Sequence, residues 1–524
     1  MPIPILYGSQ TGNGIHLAAL LEKKFKESFS LPIDTFDMLE INNFPLVIFI
    51  CSTHGDGQCP FNMSRFYRFI LSQSERIFNF DYAVLGLGDS SYPKYNYCAK
   101  VLVAKLKQLG GNLILKEFCN SQDENGNYDG LSRFLKSAAN SKIGHYMGCN
   151  ENESESAKYA QTYSIKPSKC IARVVSNSLV TPIDYDKKVF ELILDIPGYN
   201  DFSPGDCIAI FPKNVITPEQ FIASISLDPD SGEKSNVNST KYTKNEIKCL
   251  LSKVDLFSTV QQAVFKDLSA FCKNELYKQK IKELYEDYDL YYNYVVLAKR
   301  NLIEIIRDFH LDIPMEYLLS INPIVPRYYS CAKINGLFHI LYNEVKYKTY
   351  LSAERKGLCS EYLKSVASHS ISGTKECSAI AFEQRTNLDD SPNRETNVNF
   401  EIEVVKSNLF FNDKKLLIFA TGTGITLPRS VIHFFKDKET RIYYGFRHFN
   451  VDQLCKEEFQ NCEIFYASSR ENRKYVMDAY KENPVENIDE WLVFVSGNTR
   501  LNKEIRGLLK EIHGKEINFQ SETW

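Results

Sequence analysis

The sequence predicts a multidomain α/β protein in which a β-barrel stands between two doubly wound parallel sheets. Three observations carry this. Residues 1–147 and 412–524 each alternate short apolar runs with longer amphipathic stretches, the pattern of parallel strands joined by covering helices. Residues 167–411 instead carry runs that read as antiparallel strands, interrupted at about 216–320 by charged helical text. Finally, 524 residues is more chain than a single core organises.

In order, the first region offers strands at "IPILY", "PIDTFDM", "LVIFICS", "YAVLGLG" and "LILKEF". Amphipathic stretches such as "GIHLAALLEKKFKESF" and "YCAKVLVAKLKQLG" lie between them. Residues 148–166 are polar, with Glu151, Glu153 and Glu155 close together, and predict a flexible linker. The middle region offers "KCIARVVSNSLV", "KVFELILDI", "PGDCIAIFP", "PRYYSCAK" and "GLFHILYNEV"; its polar, patternless residues 371–397 predict a mobile loop. The last region offers "KLLIFA", "RIYYGF", "CEIFYA", "WLVFVSG" and "EINFQS".

Composition narrows the function classes. Hydrophobic content of 44% and charged content of 24% are those of a soluble globular protein. A net charge of -3 argues against nucleic-acid binding by bulk electrostatics. The 14 cysteines include no CxxC pair, so reduced, mostly buried thiols, no metal site and a cytoplasmic location are expected. No signal peptide or membrane anchor is expected either, since "PIPILYGSQTG" opens the first strand and no run of about 18 apolar residues follows. A monomer is expected.

In an open parallel sheet, ligands gather outside the carboxyl ends of the strands, so the text after each strand matters most. After the first strand stand Ser9, Gln10, Thr11, Gly12, Asn13 and Gly14. Their backbone N–H groups, at a helix start, form an anion nest suited to a phosphate; the lysine of a nucleoside-triphosphate loop is missing. After the third strand come Ser52, Thr53, His54 and Gly55. After the fourth come Leu87, Gly88, Asp89, Ser90, Ser91, Tyr92, Pro93, Lys94, Tyr95 and Asn96, with Tyr92 able to stack on a flat ring. In the middle region Arg327, Tyr328, Tyr329 and Ser330 combine an anion-binding guanidinium with rings and a hydroxyl. Gly357, Leu358, Cys359 and Ser360 then open a helix in the manner of a pyrophosphate site. In the last region "TGTG", containing Thr423, follows a strand. Ser469, Arg470, Arg473, Lys474 and Tyr475 add cations, a hydroxyl and a ring suited to a 2′-phosphorylated nucleotide.

Together these motifs resemble those of the NADPH-dependent diflavin reductases, the cytochrome P450 reductase-like family. The resemblance implies a flavodoxin-like FMN domain over 1–147, a linker over 148–166, a ferredoxin-reductase-type FAD barrel with a helical connecting insertion over 167–411, and an NADP-binding domain over 412–524. It implies that residues 9–13 hold the FMN phosphate and that Thr53, His54, Gly55 and Tyr92 line its ring, with Asp123 in the third FMN loop. Arg327, Tyr328, Tyr329, Ser330 and residues 357–360 would hold FAD, and Thr423, Ser469, Arg470, Lys474 and Tyr475 would hold NADPH. Ser330, Ser496 and Glu522 would surround the hydride path, and Trp524 would stack on the FAD ring until nicotinamide displaces it.

The chain departs from the family pattern at several places. His54 stands where cytochrome P450 reductase has tyrosine, Ala420 and Thr421 replace Gly-Pro, and Met477 replaces a common glutamine. Ser496, Gly497 and Asn498 replace Cys-Gly-Asp, and Glu522, Thr523 and Trp524 replace Asp-x-Trp. The last two sets look most like the soluble diflavin reductases of cytosolic iron–sulfur protein assembly, whose electron acceptor is anamorsin. The implied path is NADPH to FAD to FMN to such a protein. The alternatives are a haem protein or methionine synthase as acceptor, or a non-catalytic binding scaffold that keeps the fold.

Overall fold

The computed structural model describes the chain apart from residues 1, 10–11, 56, 125, 149–152, 165–168, 226–241, 263, 320, 322, 351–352, 369–398, 408, 461 and 524. The loop expected at 371–397 lies outside the described residues.

Five parallel strands form the first sheet: β1 (Ile3–Gly8), β2 (Ser28–Pro32), β3 (Leu46–Ser52), β4 (Asp81–Gly88) and β5 (Asn112–Asn120), in the order β2-β1-β3-β4-β5. Alternate strand residues feed two cores. Leu6, Val47, Phe49 and Val84 pack with Phe66, Ile70, Leu102 and Leu106 of helices Ser64–Ser72 and Tyr97–Gln108. Ile5, Ile48, Ile50 and Leu85 pack with Leu17, Leu21, Leu131 and Phe134 of helices Asn13–Glu22 and Asn127–Ala139. Burial on both faces explains why these strands read as continuous apolar runs. Because β1, β3 and β4 are spatial neighbours, their three following loops meet at one sheet edge.

Two expectations for this region are corrected. The second strand is Ser28–Pro32 rather than "PIDTFDM"; residues 33–35 form a 3-10 turn. Ile33 and Phe36, three apart, both enter the core, and the Asp34 carboxylate accepts the N–H groups of Arg65 and Phe66. The expected flexible linker contains the helix Glu153–Thr162, which is docked on the first sheet. Ser156, Tyr159, Ala160 and Tyr163 recur at helical spacing on one face. The Ser156 hydroxyl donates to Ser28 O at 2.7 Å, and Tyr163 stacks on Phe29 at 5.6 Å and meets Phe44 edge-on at 4.9 Å. Tyr163→Ala is therefore expected to destabilise the first domain by about 2–3 kcal/mol. Faster hydrogen exchange at β2 amides would show it, and unchanged exchange would return the segment to a passive tether.

The middle region contains β6 (Cys170–Leu179), β7 (Val189–Asp195), β8 (Cys207–Ile210), β9 (Arg327–Ile334), β10 (Leu337–Asn343), a small hairpin β11 (Lys346–Lys348) and β12 (Glu354–Lys356), and β13 (Asn399–Val405). Six of these close a barrel in the order β10-β7-β6-β13-β8-β9. The closing strand β13 is absent from the sequence expectation; it buries Phe400 and Ile402 and exposes Glu401. Between β8 and β9, helices from Pro218–Ile225 to Met315–Leu318 build a core of their own around Phe221, Leu250, Phe265 and Ile305.

The last region is a third sheet, again parallel, of β14 (Lys415–Thr421), β15 (Thr440–Phe446), β16 (Glu463–Ser468), β17 (Trp491–Gly497) and β18 (Gln520–Thr523), in the order β16-β15-β14-β17-β18. Only the end of the expected strand "EINFQS" is strand. No described helix is long and apolar enough to cross a membrane.

Candidate active site

At the first sheet edge the Ser9 hydroxyl accepts N–H bonds from Gly12 (3.2 Å) and Gly14 (3.0 Å) at the start of a ten-residue helix. Gly12 has φ +96°, which aims its N–H inward. Ser9 N–H is held by Asn62 Oδ1 at 2.9 Å. Gln10 and Thr11 lie outside the described residues; Asn13 opens the helix. In the loop after β3, the Ser52 hydroxyl donates to Gly8 O and Thr53 N–H to Leu87 O. His54 and Gln58 exchange backbone bonds of 3.1 and 2.8 Å across a turn whose Gly55 has φ +54°. Burial lowers the His54 pKa to about 4, leaving a neutral imidazole whose Nδ1 is buried without a partner.

The loop after β4 divides into a fastened base and a free tip. The Tyr95 hydroxyl donates to Phe118 O at 2.8 Å and Asn96 Nδ2 to Cys119 O at 2.8 Å, tying the base to β5. Ser121 N–H bonds Gly88 O, Ser90 N–H bonds Asn120 Oδ1, and Asp89 accepts from Ser91 and Gln122. Lys94 reaches over the Tyr97 ring beyond Pro93, and Tyr92 at the tip is 56% exposed with its ring available. Asp123 is held by Asn120 and by Arg133 at 3.1 Å.

The three residues expected around a hydride path converge from separate strands. β8 and β9 pair Cys207 with Ser330, β17 and β18 pair Ser496 with Glu522, and Cys207 Sγ lies 4.0 Å from Glu522 Oε1. Ser330 Oγ, Ser496 Oγ and Glu522 Oε2 are buried without a hydrogen bond of good geometry. Burial pushes the Glu522 carboxyl up to about 8; the nearby Ser330 and Ser496 hydroxyls pull it partly back, and the Asp206 charge adds to the rise. Glu522 is thus protonated at neutral pH. A cleft runs from this carboxyl to the His54 turn, lined also by Cys207 and Ser407.

The neighbouring barrel positions do several different things. Tyr328 stacks on Phe61 of the first domain with centroids 4.4 Å apart, and Tyr329 packs edge-on to Tyr342. Arg327 donates to Val325 O and lies 3.6 Å from Asp255. Gly357 approaches Val345 closely, since a methyl there would sit 2.6 Å from Val345 Cβ. Leu358 begins the helix Leu358–Ser368. Cys359 is buried in the barrel core and the Ser360 hydroxyl is taken by Gly357 O and Val345 N–H, so both side chains face inward, and only their backbone is offered to a ligand.

At the third sheet Thr423 sits in the 3-10 turn Gly422–Ile425. Gly424 lies against Ser496 O, and a methyl at Gly497 would sit 2.6 Å from Thr421 Oγ1. The loops after β14 and β17 therefore touch through glycines, which holds despite Ala420 and Thr421. Arg429 faces away from them; it is buried between Glu191 (2.6 Å) and Glu458 (2.5 Å) and fastens this sheet to the barrel. Ser469 donates to Phe446 O, Lys474 pairs with Glu482 at 2.7 Å, and Tyr475 is 56% exposed. Arg470 and Arg473 are exposed and form no ion pair among the described residues. Trp524, with its expected ring stacking, lies outside the described residues. Sequence reasoning missed Lys187, whose Nζ would lie 3.5 Å from a methyl at Gly422. The loops that carry Gln58, Phe61, Asn62 and Cys207 are expected at the flavin sites, but only the tertiary fold puts Cys207 beside Glu522 and the other three against Ser521, Tyr328 and Ser9.

Residues 5–133 match the flavodoxin family model and residues 164–362 the FAD binding domain model. The chain is 24% identical to NADPH-dependent diflavin oxidoreductase 1 of Schizosaccharomyces pombe, over 98% of this chain and 96% of that protein. It is 27% identical to the protein of that name from Xenopus laevis over 99% of each. It is 26% identical to the sulfite reductase (NADPH) flavoprotein alpha-component of Buchnera aphidicola, over 99% of this chain and 86% of that one. By these matches the chain is similar over nearly its whole length to the NADPH-dependent diflavin reductases. FMN, FAD and NADPH are the groups that the flavodoxin and FAD binding domain models and the relatives' name imply.

The residues present fit those groups. This diflavin reductase has an N–H cradle at a helix start for a phosphate, buried polar atoms left unpaired beside a cleft, and exposed arginines beyond the third sheet. A side chain at Gly14 would sit 2.9 Å from Ser9 Cβ and disturb the cradle. Gly14→Val is expected to cut FMN retention about tenfold or more and spare FAD. Chromatography of the flavins released from the purified protein checks this; equal loss of both would point to general unfolding.

Proposed function

We propose that this diflavin reductase passes electrons from NADPH to a cytoplasmic one-electron acceptor, an iron–sulfur protein of the anamorsin type. The observation that carries the reading is one cleft lined by His54, by Cys207 of the barrel and by Glu522, whose carboxyl lies in the buried cluster with Ser330 and Ser496. When bound, the two flavins supply the conversion of a two-electron hydride into single electrons.

The protein's residues supply the rest. In this reading Gly12, Asn13 and Gly14 hold the FMN phosphate with Ser9, while Thr53, Gly55 and Tyr92 face its ring and His54 adds no charge there. Arg327 and the backbone of residues 357–360 hold the FAD pyrophosphate, and Tyr329 packs beside its ring. Thr423 meets the nucleotide pyrophosphate, Ser469, Arg470 and Lys474 its 2′-phosphate and Tyr475 its adenine. The Ser330 and Ser496 hydroxyls orient the nicotinamide, and Glu522 holds a proton at its carboxyl beside them. The resemblance drawn from Ser496, Gly497, Asn498 and the Glu522-Thr523-Trp524 ending is what favours the iron–sulfur acceptor.

The test is single-turnover reduction. Purified protein carrying FMN and FAD near one each should reduce ferricyanide with NADPH far faster than with NADH. A purified anamorsin-type iron–sulfur protein should then be reduced faster than a P450-type haem protein at equal concentration. The reverse order would replace the acceptor while keeping the reductase, and a chain that binds neither flavin would leave only the scaffold reading.

A further inference from the structure

The cleft is closed on one side by contacts between regions far apart in sequence. Gln58, in the turn after β3, donates from Nε2 to Ser521 O at 2.6 Å and to Ser521 Oγ at 3.1 Å. Phe61, three residues on, lies parallel to Tyr328 of β9, with rings 15° apart. One contact reaches the C-terminal strand of the third sheet and the other the barrel, so the loop of the first domain is gripped at two points.

The strand it grips is short and busy. In β18, Gln520 exchanges two bonds with the Phe410 backbone, of 2.8 and 2.9 Å. Ser521 takes Gln58, and Glu522 enters the buried cluster with Ser330 and Ser496. Three consecutive residues thus touch the barrel-to-sheet connection, the first domain and the proton-holding site. A strand of four residues at a sheet edge has little freedom to move one of these contacts without the next.

We infer that Gln58 and Phe61 are positioning residues that latch the first domain over the barrel, closing the two flavin sites on each other, and that β18 ties this latch to the hydride site. The inference rests on the proposed transfer between two flavin sites. It also explains how one loop serves two partners. The turn that faces the barrel is the edge an acceptor protein must reach, so the grip has to be breakable. A hydrogen-bond pair to one residue and one aromatic stack each shift a closed-to-open ratio by about fivefold, enough to favour closure without preventing release.

The experiment uses the full-length holoprotein and two readouts. Gln58→Glu keeps the shape but removes the donor, and Phe61→Ser removes the ring. In the double variant, small-angle X-ray scattering should show a larger radius of gyration. NADPH-dependent cytochrome c reduction, taken relative to ferricyanide reduction, should fall about tenfold or more, with both flavins retained. Gln58→Lys restores a donor and should recover most of the single-variant loss. Ser521→Ala keeps the backbone acceptor and should change the ratio less than about twofold. A double variant as compact as the wild type, with an unchanged ratio, overturns the latch, as does equal damage from Ser521→Ala and Gln58→Glu. A wild type unable to reduce cytochrome c would defeat the functional reading instead, and the scattering comparison would still decide the latch.

Discussion

Glu522→Gln should remove both an alkaline fall in activity and a pH-dependent loss of stability. Burial holds the wild-type carboxyl at a pKa of about 8. The neutral acid is therefore the form present at pH 7, and it ionises as the pH passes about 8. NADPH-to-ferricyanide turnover should fall through that range in the wild type and stay flat in Glu522→Gln between about pH 6 and 9. Glu522→Ala, which removes the carboxyl and leaves Ser330 and Ser496 facing a void, should cost about 100-fold in turnover. The stability effect has a definite sign. The folded protein keeps a proton that the unfolded chain, with an ordinary carboxyl, releases near pH 4.5. Its contribution is complete below pH 4.5 and is lost as the pH climbs to about 8, by at most about 5 kcal/mol. Denaturation midpoints at pH 6 and pH 9 should separate for the wild type and converge for Glu522→Gln; parallel behaviour of the two proteins would mean that Glu522 is not the titrating group.

Replacing Arg470 and Arg473 together with alanine should reduce the preference for NADPH over NADH by about 100-fold or more. Each exposed guanidinium is free among the described residues to make a charge-assisted bond to a phosphate, worth about ten- to 100-fold when formed. Lys474 is already paired with Glu482, so Lys474→Ala should cost less than either arginine. The loss should appear in kcat/KM for NADPH, shrink at high salt as surface charges are screened, and leave NADH turnover nearly unchanged. Equal losses with both nucleotides would place the arginines outside the 2′-phosphate site.

Much of this protein is legible along the chain. The core strands of both parallel sheets are written as apolar runs because two covered faces demand them. The loops after the strands are written as glycines and hydroxyls because a turn that gathers backbone N–H groups at a helix start is a local device, as Ser9, Gly12 and Gly14 show. Weaker signals were passed over: the one-sided spacing of Ser156, Tyr159 and Tyr163 is present in polar text, and β13 follows a long polar stretch. Arg429 follows the TGTG loop by five residues in sequence, yet its guanidinium is spent on Glu191 and Glu458, which no local pattern announces.

By itself, then, the sequence determined the order of sheets and barrel, the glycine- and hydroxyl-rich loops at the sheet edges, and the family likeness. Those properties follow from burial periodicity and backbone chemistry within a few neighbouring residues. The tertiary structure alone decided that Ser330, Ser496, Cys207 and Glu522 share one buried site, that Glu522 is therefore neutral, and that Gln58 and Phe61 grip the other half of the molecule. Desolvation and long-range contact depend on which distant strands pack together, and nothing in the local text of any one of them carries that information.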